Sequence, residues 1–405
     1  MAAARFTIAV PDQELKALQE KLTLARLPDE LEDASWDYGT PLVHMHRLVD
    51  RWKNGYDWRK AEAALNSELP MFTRNIEVEG HGTLNVHYVH KKSSVANAIP
   101  LLFVHGWPGS FIEVRKILPI LTAPESADCP AFHVVCLGLP GYGFSEAPRT
   151  KGFGPIQFAE VGHKLMLALE YNEYVMQGGD WGQRIARAMA AKYGPKHAKA
   201  WHTNMPMATP PSLFHSPLLY ISYMLKPYTA SDRESLRVSR EFDTTGRGYS
   251  HEHETKPQTI GYSLADSPVG LLAWIYEKLI AWTDEYPWTD DEVLTWISIY
   301  WFSRAGPAAS VRIYYEHRLS IAEQSKLSVI IPTALAYFPQ EIYQPPRSWL
   351  PAIGKIVQEV RHKKGGHFAA YEVPELLVSD LHKMFGKGGP AYGVVKSSEG
   401  YPESS

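Results

Sequence analysis

Tyr174-Val175-Met176-Gln177-Gly178-Gly179-Asp180-Trp181-Gly182 runs on into the helical stretch Gln183–Tyr193. The segment reads as a short buried strand, a tight glycine-rich turn and a helix. A small-x-X-x-small turn between strand and helix is the frame of a nucleophile elbow, in which the central residue takes a strained backbone and its neighbours must be small. Here the elbow position holds Asp180 instead of a serine. A carboxylate can attack carbon and form an ester. The helix N-terminus and nearby backbone N–H groups are expected to keep it ionised. Asp is also a favoured helix cap, so the turn alone leaves both readings open.

The same strand–loop–helix grammar recurs on either side. Ile99–Val104 precedes His105-Gly106, Phe132–Leu139 precedes Pro140-Gly141-Tyr142-Gly143, and Ala200–Asn204 precedes Met205-Pro206. Buried strands alternating with helices imply right-handed crossovers and a mostly parallel sheet with helices on both faces. Upstream, Ile76–Glu79, a Gly-His-Gly turn and Leu84–Val89 alternate with period two, which predicts an antiparallel hairpin. Residues 12–70 read as helices, for instance Asp12–Leu24. From 207 to 325 the pattern gives way to Trp- and Tyr-rich helices, and strands return at Ser328–Tyr337 and Ile356–His362. A helical insertion of this kind is the pattern of a lid. The expected division is an N-terminal helical region (1–71), an α/β core in two parts (72–206 and 326–390), a helical cap (207–325) and a tail (391–405).

Composition narrows the partners. The chain has 405 residues, 45% of them hydrophobic, and a net charge of -3. That is enough chain for a large core. The near-neutral balance argues against nucleic acid, whose phosphates need clustered Lys and Arg. Two cysteines, Cys129 and Cys136, are too few for a disulfide scaffold and fit a reducing compartment. Met1–Val10 lacks a secretory core, and Glu277 and Lys278 interrupt the apolar stretch Val269–Trp282 before it reaches a membrane span. A cytoplasmic, soluble protein with no cofactor and no metal is the expectation. Aromatic residues, 12% of the chain, gather between Tyr220 and Tyr315, where they build core or line an apolar pocket.

Open α/β sheets place ligands at the carboxyl ends of their strands. A hydrolytic ester mechanism needs a base for water and an acid that orients the base, in the chain order nucleophile, acid, histidine. Phe338-Pro339-Gln340-Glu341 follows the returning strand, and Gly365-Gly366-His367-Phe368 follows the last one. Alone, Glu341 could be a solvated loop acid and His367 one of 17 histidines. Order and strand context together select Asp180, Glu341 and His367.

Over nearly its whole length the chain resembles the microsomal-type epoxide hydrolases of the α/β-hydrolase fold, especially their soluble fungal members. The resemblance lies in Gly178-Gly179-Asp180-Trp181-Gly182, His105-Gly106-Trp107-Pro108-Gly109-Ser110, Thr255-Lys256-Pro257 with Asp266-Ser267-Pro268-Val269-Gly270-Leu271, and Phe338-Pro339-Gln340-Glu341. The region from Phe6 to about Leu69 is similar to that family's N-terminal extension. The resemblance implies conversion of apolar epoxides to diols through an ester on Asp180. It implies two cap tyrosines as proton donors, Tyr249 in Gly248-Tyr249-Ser250 and Tyr314 in Arg312-Ile313-Tyr314, with Tyr315 a close rival. It further implies an oxyanion hole from the N–H groups of Trp107 and Trp181, a cis Trp107–Pro108 bond and a homodimer. His105 reads as support for its loop.

Two other readings remain open. A haloalkane-type dehalogenase uses the same Asp elbow followed by Trp, but releasing halide calls for indole or amide N–H groups, whereas opening an epoxide calls for phenols. A non-catalytic homologue of the fold would be expected to lack one of the three catalytic positions, and all three are filled.

Overall fold

The computed structural model describes residues 3–402 except 212, 214–216 and 226; parts of the expected cap and the ends of the first and last expected segments therefore lie outside the described residues. Its strands are β1 (Ala4–Arg5), β2 (Met71–Val78), β3 (Gly82–Lys91), β4 (Ile99–Val104), β5 (Phe132–Leu137), β6 (Tyr174–Gly178), β7 (Ala198–Thr203), β8 (Pro332–Tyr337) and β9 (Lys355–Arg361). They form one sheet in the order β1-β2-β3-β5-β4-β6-β7-β8-β9. The first three strands pair antiparallel with one another and β3 with β5, while every pairing from β5 to β9 is parallel.

The predicted hairpin is β2–β3, turned through Gly80 and Gly82, both at φ +74. The helix Asp12–Leu24 forms as read. Strand ends differ from expectation for local reasons. β5 stops at Leu137 because the chain leaves the ladder at Gly138, where a Cβ would lie 2.7 Å from the His87 carbonyl oxygen. β8 opens at Pro332, not Ser328, since proline has no N–H to give a ladder and favours the start of a strand. β1 escaped notice because two residues carry no periodicity.

Helices cover both faces, as expected. The chain steps one way from β4 to β5 through the helix Ile117–Thr122. It then steps the other way, β5 to β6 to β7, through Pro155–Ala168 and Asp180–Tyr193. Right-handed crossovers in opposite directions put their helices on opposite faces. Accordingly Pro155–Ala168 packs on Asp180–Tyr193, and Ile117–Thr122 packs on Pro374–Phe385. With both faces covered, β4 and β6 are buried at every residue. The direction reverses between β4 and β6, the switch point where such sheets bind ligands, and the loops from Gly106 and to Asp180 leave there.

Between β7 and β8 the chain inserts helices that include Gly248–Thr255, Pro268–Ala281, Asp290–Trp301 and Arg312–Gln324. The N-terminal helices Leu42–Asn54 and Trp58–Glu68 pack against this insertion, and Arg51 pairs with Asp291 through Nε at 2.9 Å and Nη2 at 3.0 Å. Among the described residues no helix is long and apolar enough to cross a membrane.

Candidate active site

Asp180 stands at the first position of its helix with φ +46, a left-handed conformation unusual for a residue with a Cβ. The turn tolerates this only because its neighbours are glycines. A Cβ on Gly182 would lie 1.9 Å from the Val104 carbonyl oxygen, and one on Gly178 would lie 2.5 Å from that of Gly182. The elbow thus presses against the end of β4 and turns its carboxylate toward the next loop. There Asp180 Oδ1 accepts the Trp107 N–H at 2.7 Å. Gly106 leaves the room, since its Cβ would overlap that same oxygen.

The Trp107–Pro108 peptide is cis. Its loop is held from above: Trp296 Nε1 donates to the Pro108 carbonyl and Tyr300 Oη to that of Gly109, both at 2.6 Å. Both donors sit on the insertion helix Asp290–Trp301, so the lid and the loop are one packed unit. His105 is fully buried beneath, where its Nε2 accepts the Leu139 N–H at 3.3 Å, which fits the supporting role read for it.

His367 follows β9 and Glu341 follows β8, and a lone bridge between Gln340 and Gly366 ties the two loops. His367 Nδ1 lies 2.7 Å from Glu341 Oε1, which also accepts the Ile342 N–H at 2.8 Å. The other ring nitrogen, Nε2, is 3.6 Å from Asp180 Oδ2. The ring is therefore strung between the two carboxylates. The backbone N–H of His367 donates to the Trp282 carbonyl at 2.9 Å, and Asn204 Nδ2 donates to the His367 carbonyl at 3.4 Å.

Tyr249 and Tyr314 come from the helices Gly248–Thr255 and Arg312–Gln324 and meet over Trp107. Tyr249 stacks on the Trp107 ring at 5.0 Å, and Tyr314 stands edge-on to the rings of Trp107 at 5.9 Å and Trp181 at 4.7 Å. Tyr315 turns aside instead, with the Arg318 guanidinium over its ring. The Tyr314 hydroxyl and the Trp181 indole N–H are buried beside each other and form no hydrogen bond of good geometry with the described residues, only looser contacts between themselves and from Tyr314 to Tyr249. The seven residues expected at the site, Asp180, Glu341, His367, Tyr249, Tyr314, Trp107 and Trp181, converge on one place.

Opposing influences act on the Asp180 carboxyl. Burial pushes it up, and His367, the N–H groups of Trp107 and Trp181, and Arg184 only partly offset that rise. Burial also presses on His367, yet Glu341, Asp180 and Glu113 outweigh it and push the imidazole up to about 9. Burial raises both phenols above the ordinary tyrosine range, Tyr314 strongly, and so keeps them protonated.

Reading the sequence passes over several residues here. Glu113 reads as a solvated acid but is buried beside Asp180 and His367, and desolvation pushes its carboxyl up to about 8. Arg184 had a readable signal, since it lies one helical turn beyond Asp180 on the same face. Desolvation lowers its guanidinium to about 10. Glu372 joins the histidine loop to the insertion, accepting the N–H groups of Phe368 and Asp284, both at 2.9 Å. Among the described residues no group of acids, histidines or cysteines is arranged to hold a metal ion.

The family model of the epoxide hydrolase N terminus matches residues 3–114, and that of the alpha/beta hydrolase fold matches residues 99–374. The chain is 36% identical to epoxide hydrolase 1 of Sus scrofa over 410 residues, which span 94% of this chain and 88% of that one. The solved structure of Aspergillus niger epoxide hydrolase is similar with a TM-score of 0.81 at 33% identity, over 94% of this chain and 95% of the other. Juvenile hormone epoxide hydrolase from the silkworm Bombyx mori is similar with a TM-score of 0.84 at 30% identity, over 94% and 93% of the two chains.

Proposed function

The chain belongs to the epoxide hydrolases of the α/β-hydrolase fold, and on that premise we propose that it opens its substrate with Asp180 and releases the diol with His367 and Glu341. The observation that carries this reading is the imidazole strung between two carboxylates, 2.7 Å from Glu341 and 3.6 Å from Asp180.

Asp180 Oδ1 is engaged by the Trp107 N–H, which leaves Oδ2 as the attacking atom. As Oδ2 bonds to a ring carbon, the C–O bond of the epoxide breaks and its oxygen becomes an alkoxide. Tyr249 and Tyr314 meet that oxygen as O–H donors, and the alkoxide, far more basic than a phenolate, takes a proton. The buried hydroxyl of Tyr314 supports this, because it makes no hydrogen bond of good geometry with the described residues and the epoxide oxygen would supply one.

Esterification removes the charge of Asp180. One of the groups that held His367 protonated is then gone, so the imidazole gives up its proton, which restores the phenol that ring opening left as a phenolate, and becomes a base. Water attacks Cγ, its proton passes to Nε2, and Glu341 stabilises the imidazolium. The oxyanion develops on Oδ1, the atom already held by Trp107, and the Trp181 N–H is its second donor. Such a donor is worth roughly 3–4 kcal/mol.

The packing of Tyr249, Tyr314, Trp107 and Trp282 supports an apolar substrate. We read 207–325 as the cap, 1–71 as the region that clamps it, 72–206 and 326–390 as the core and 391–405 as a tail. A cytoplasmic location fits the two free cysteines. A homodimer fits the N-terminal apolar side chains left in solvent, Leu24 at 80%, Tyr38 at 79% and Val43 at 69% exposure.

A single turnover in heavy-oxygen water, with enzyme in excess, tests the covalent step. The diol should be mostly unlabelled and the label should enter the peptide containing Asp180. Label in the first diol would instead mean direct attack by water, and Asp180 would revert to a cap or a general base.

A further inference from the structure

Behind Asp180, on the sheet side of His367, lies a cavity of about 10 Å³, room for about one water molecule. Its walls include Glu113, Asp180, His367, Gln177 and Asn204. Glu113 reaches it only because residue 109 is glycine; a Cβ there would lie 1.6 Å from Glu113 Oε1. Gln177 is fixed by its own donor, since Nε2 gives a hydrogen bond to Asn204 Oδ1 at 2.8 Å. That leaves Gln177 Oε1 as a fully buried acceptor with no partner among the described residues. Two acceptors, one of them unpartnered, thus border a water-sized space that also touches the carboxylate to be esterified and the base.

We propose that this cavity seats the hydrolytic water and that Glu113, with Gln177, holds it against the ester carbon of Asp180. The proposal rests on the ester mechanism above and adds what aims the nucleophile. A water attacking Cγ gives one proton to His367 Nε2, and its other O–H needs an acceptor in a site closed to solvent. Glu113 and Gln177 Oε1 supply it. Glu113 takes no net proton. The new Cγ–O bond forms as the water's O–H bond breaks. The Cγ–O bond to the substrate then breaks, and the imidazolium returns its proton to the departing alkoxide.

Glu113→Gln and Gln177→Met in the full chain separate the two steps. Rapid mixing with styrene oxide follows alkylation by the fluorescence of the tryptophans beside Asp180, and acid quenching with mass spectrometry counts the ester. In Glu113→Gln, alkylation should stay within about twofold while ester breakdown slows by about 100-fold, the usual effect of misplacing a reacting group. Steady-state kcat and KM should fall together and leave kcat/KM unchanged. Gln177→Met keeps the volume, loses the acceptor and should slow the same step; it decides the matter if Glu113→Gln does not fold. Ester breakdown at the wild-type rate in both folded variants would overturn the assignment, as would an equal loss in both steps. The ester reading is judged separately by His367→Gln: with no adduct there or in the wild type, the covalent mechanism itself falls, whatever Glu113 does.

Discussion

Glu341→Gln is the cleanest perturbation this site offers, because it removes a charge and little else. Oε1 of Glu341 accepts from both His367 and the Ile342 N–H, whereas Oε2 is buried without a partner among the described residues. A glutamine can place its oxygen at Oε1 and its amide nitrogen at Oε2, so both hydrogen bonds and the imidazole tautomer survive. What disappears is the anion beside the imidazolium. The rise of His367 from the ordinary 6.5 to about 9 corresponds to roughly 3 kcal/mol of stabilisation for its charged form. Glu341 shares that role with Asp180 and Glu113 in the free enzyme, but Asp180 is an uncharged ester when the imidazolium forms, and Glu341 then carries most of it. Ester hydrolysis should therefore slow by roughly 100-fold or somewhat more, the rate equivalent of about 3 kcal/mol. Alkylation creates no new imidazolium and should change only a few-fold. Mixing the variant with styrene oxide should give a normal burst of tryptophan signal and then a long-lived ester. Unchanged turnover would refute the reasoning and mean that another carboxylate orients His367; equal slowing of both steps would place the role of Glu341 in structure.

Tyr249→Phe and Tyr314→Phe should each slow alkylation by about 100-fold, the low end for a general acid, and the double variant should be nearly inactive towards epoxides in a diol assay. Full activity in that double variant would remove both phenols from the mechanism and revive the dehalogenase reading. Gly182→Ala forces a Cβ to within 1.9 Å of the Val104 carbonyl oxygen and should cost about 3 kcal/mol in urea unfolding, with loss of activity even where the fold survives. Stability should decline from mildly acid to alkaline pH in two overlapping windows. Glu113, whose folded carboxyl is raised to about 8, costs stability progressively as pH rises from about 4.5 to about 8, whereas His367 contributes fully below about 6.5 and loses its contribution as pH rises through about 9. The urea midpoint should fall across about pH 4.5 to 9.5, and the part of the fall below about pH 8 should be smaller in Glu113→Gln; an equal fall there would exclude Glu113 as a contributor.

The sequence by itself determined the parts that are local. Glycines around Asp180 declare a turn that only small neighbours permit, and that constraint lies within five consecutive residues. Period two between Ile76 and Val89 declares the hairpin, and the apolar runs at Ile99–Val104 and Tyr174–Gln177 declare strands covered on both faces, because burial imposes a repeat that a short window can hold. Chain order alone singled out Glu341 and His367 for the site.

Tertiary structure decided what depends on distance between remote segments. The neighbours of β4 follow from crossovers whose direction no single segment encodes. Nothing in Phe111-Ile112-Glu113-Val114 distinguishes a surface acid from one buried beside Asp180; that difference is made by Gly109, Asp180 and His367, and the latter two lie far away in the chain. Tyr314 and Tyr315 are adjacent and chemically identical, and only the packing of their helix turns one toward Trp107 and Trp181 and leaves the other under Arg318. Charge states belong to the same class. The sequence lists Asp180, His367, Glu113 and Arg184 with their ordinary affinities for protons, but burial and mutual distance, set when the strands come together, shift each of them.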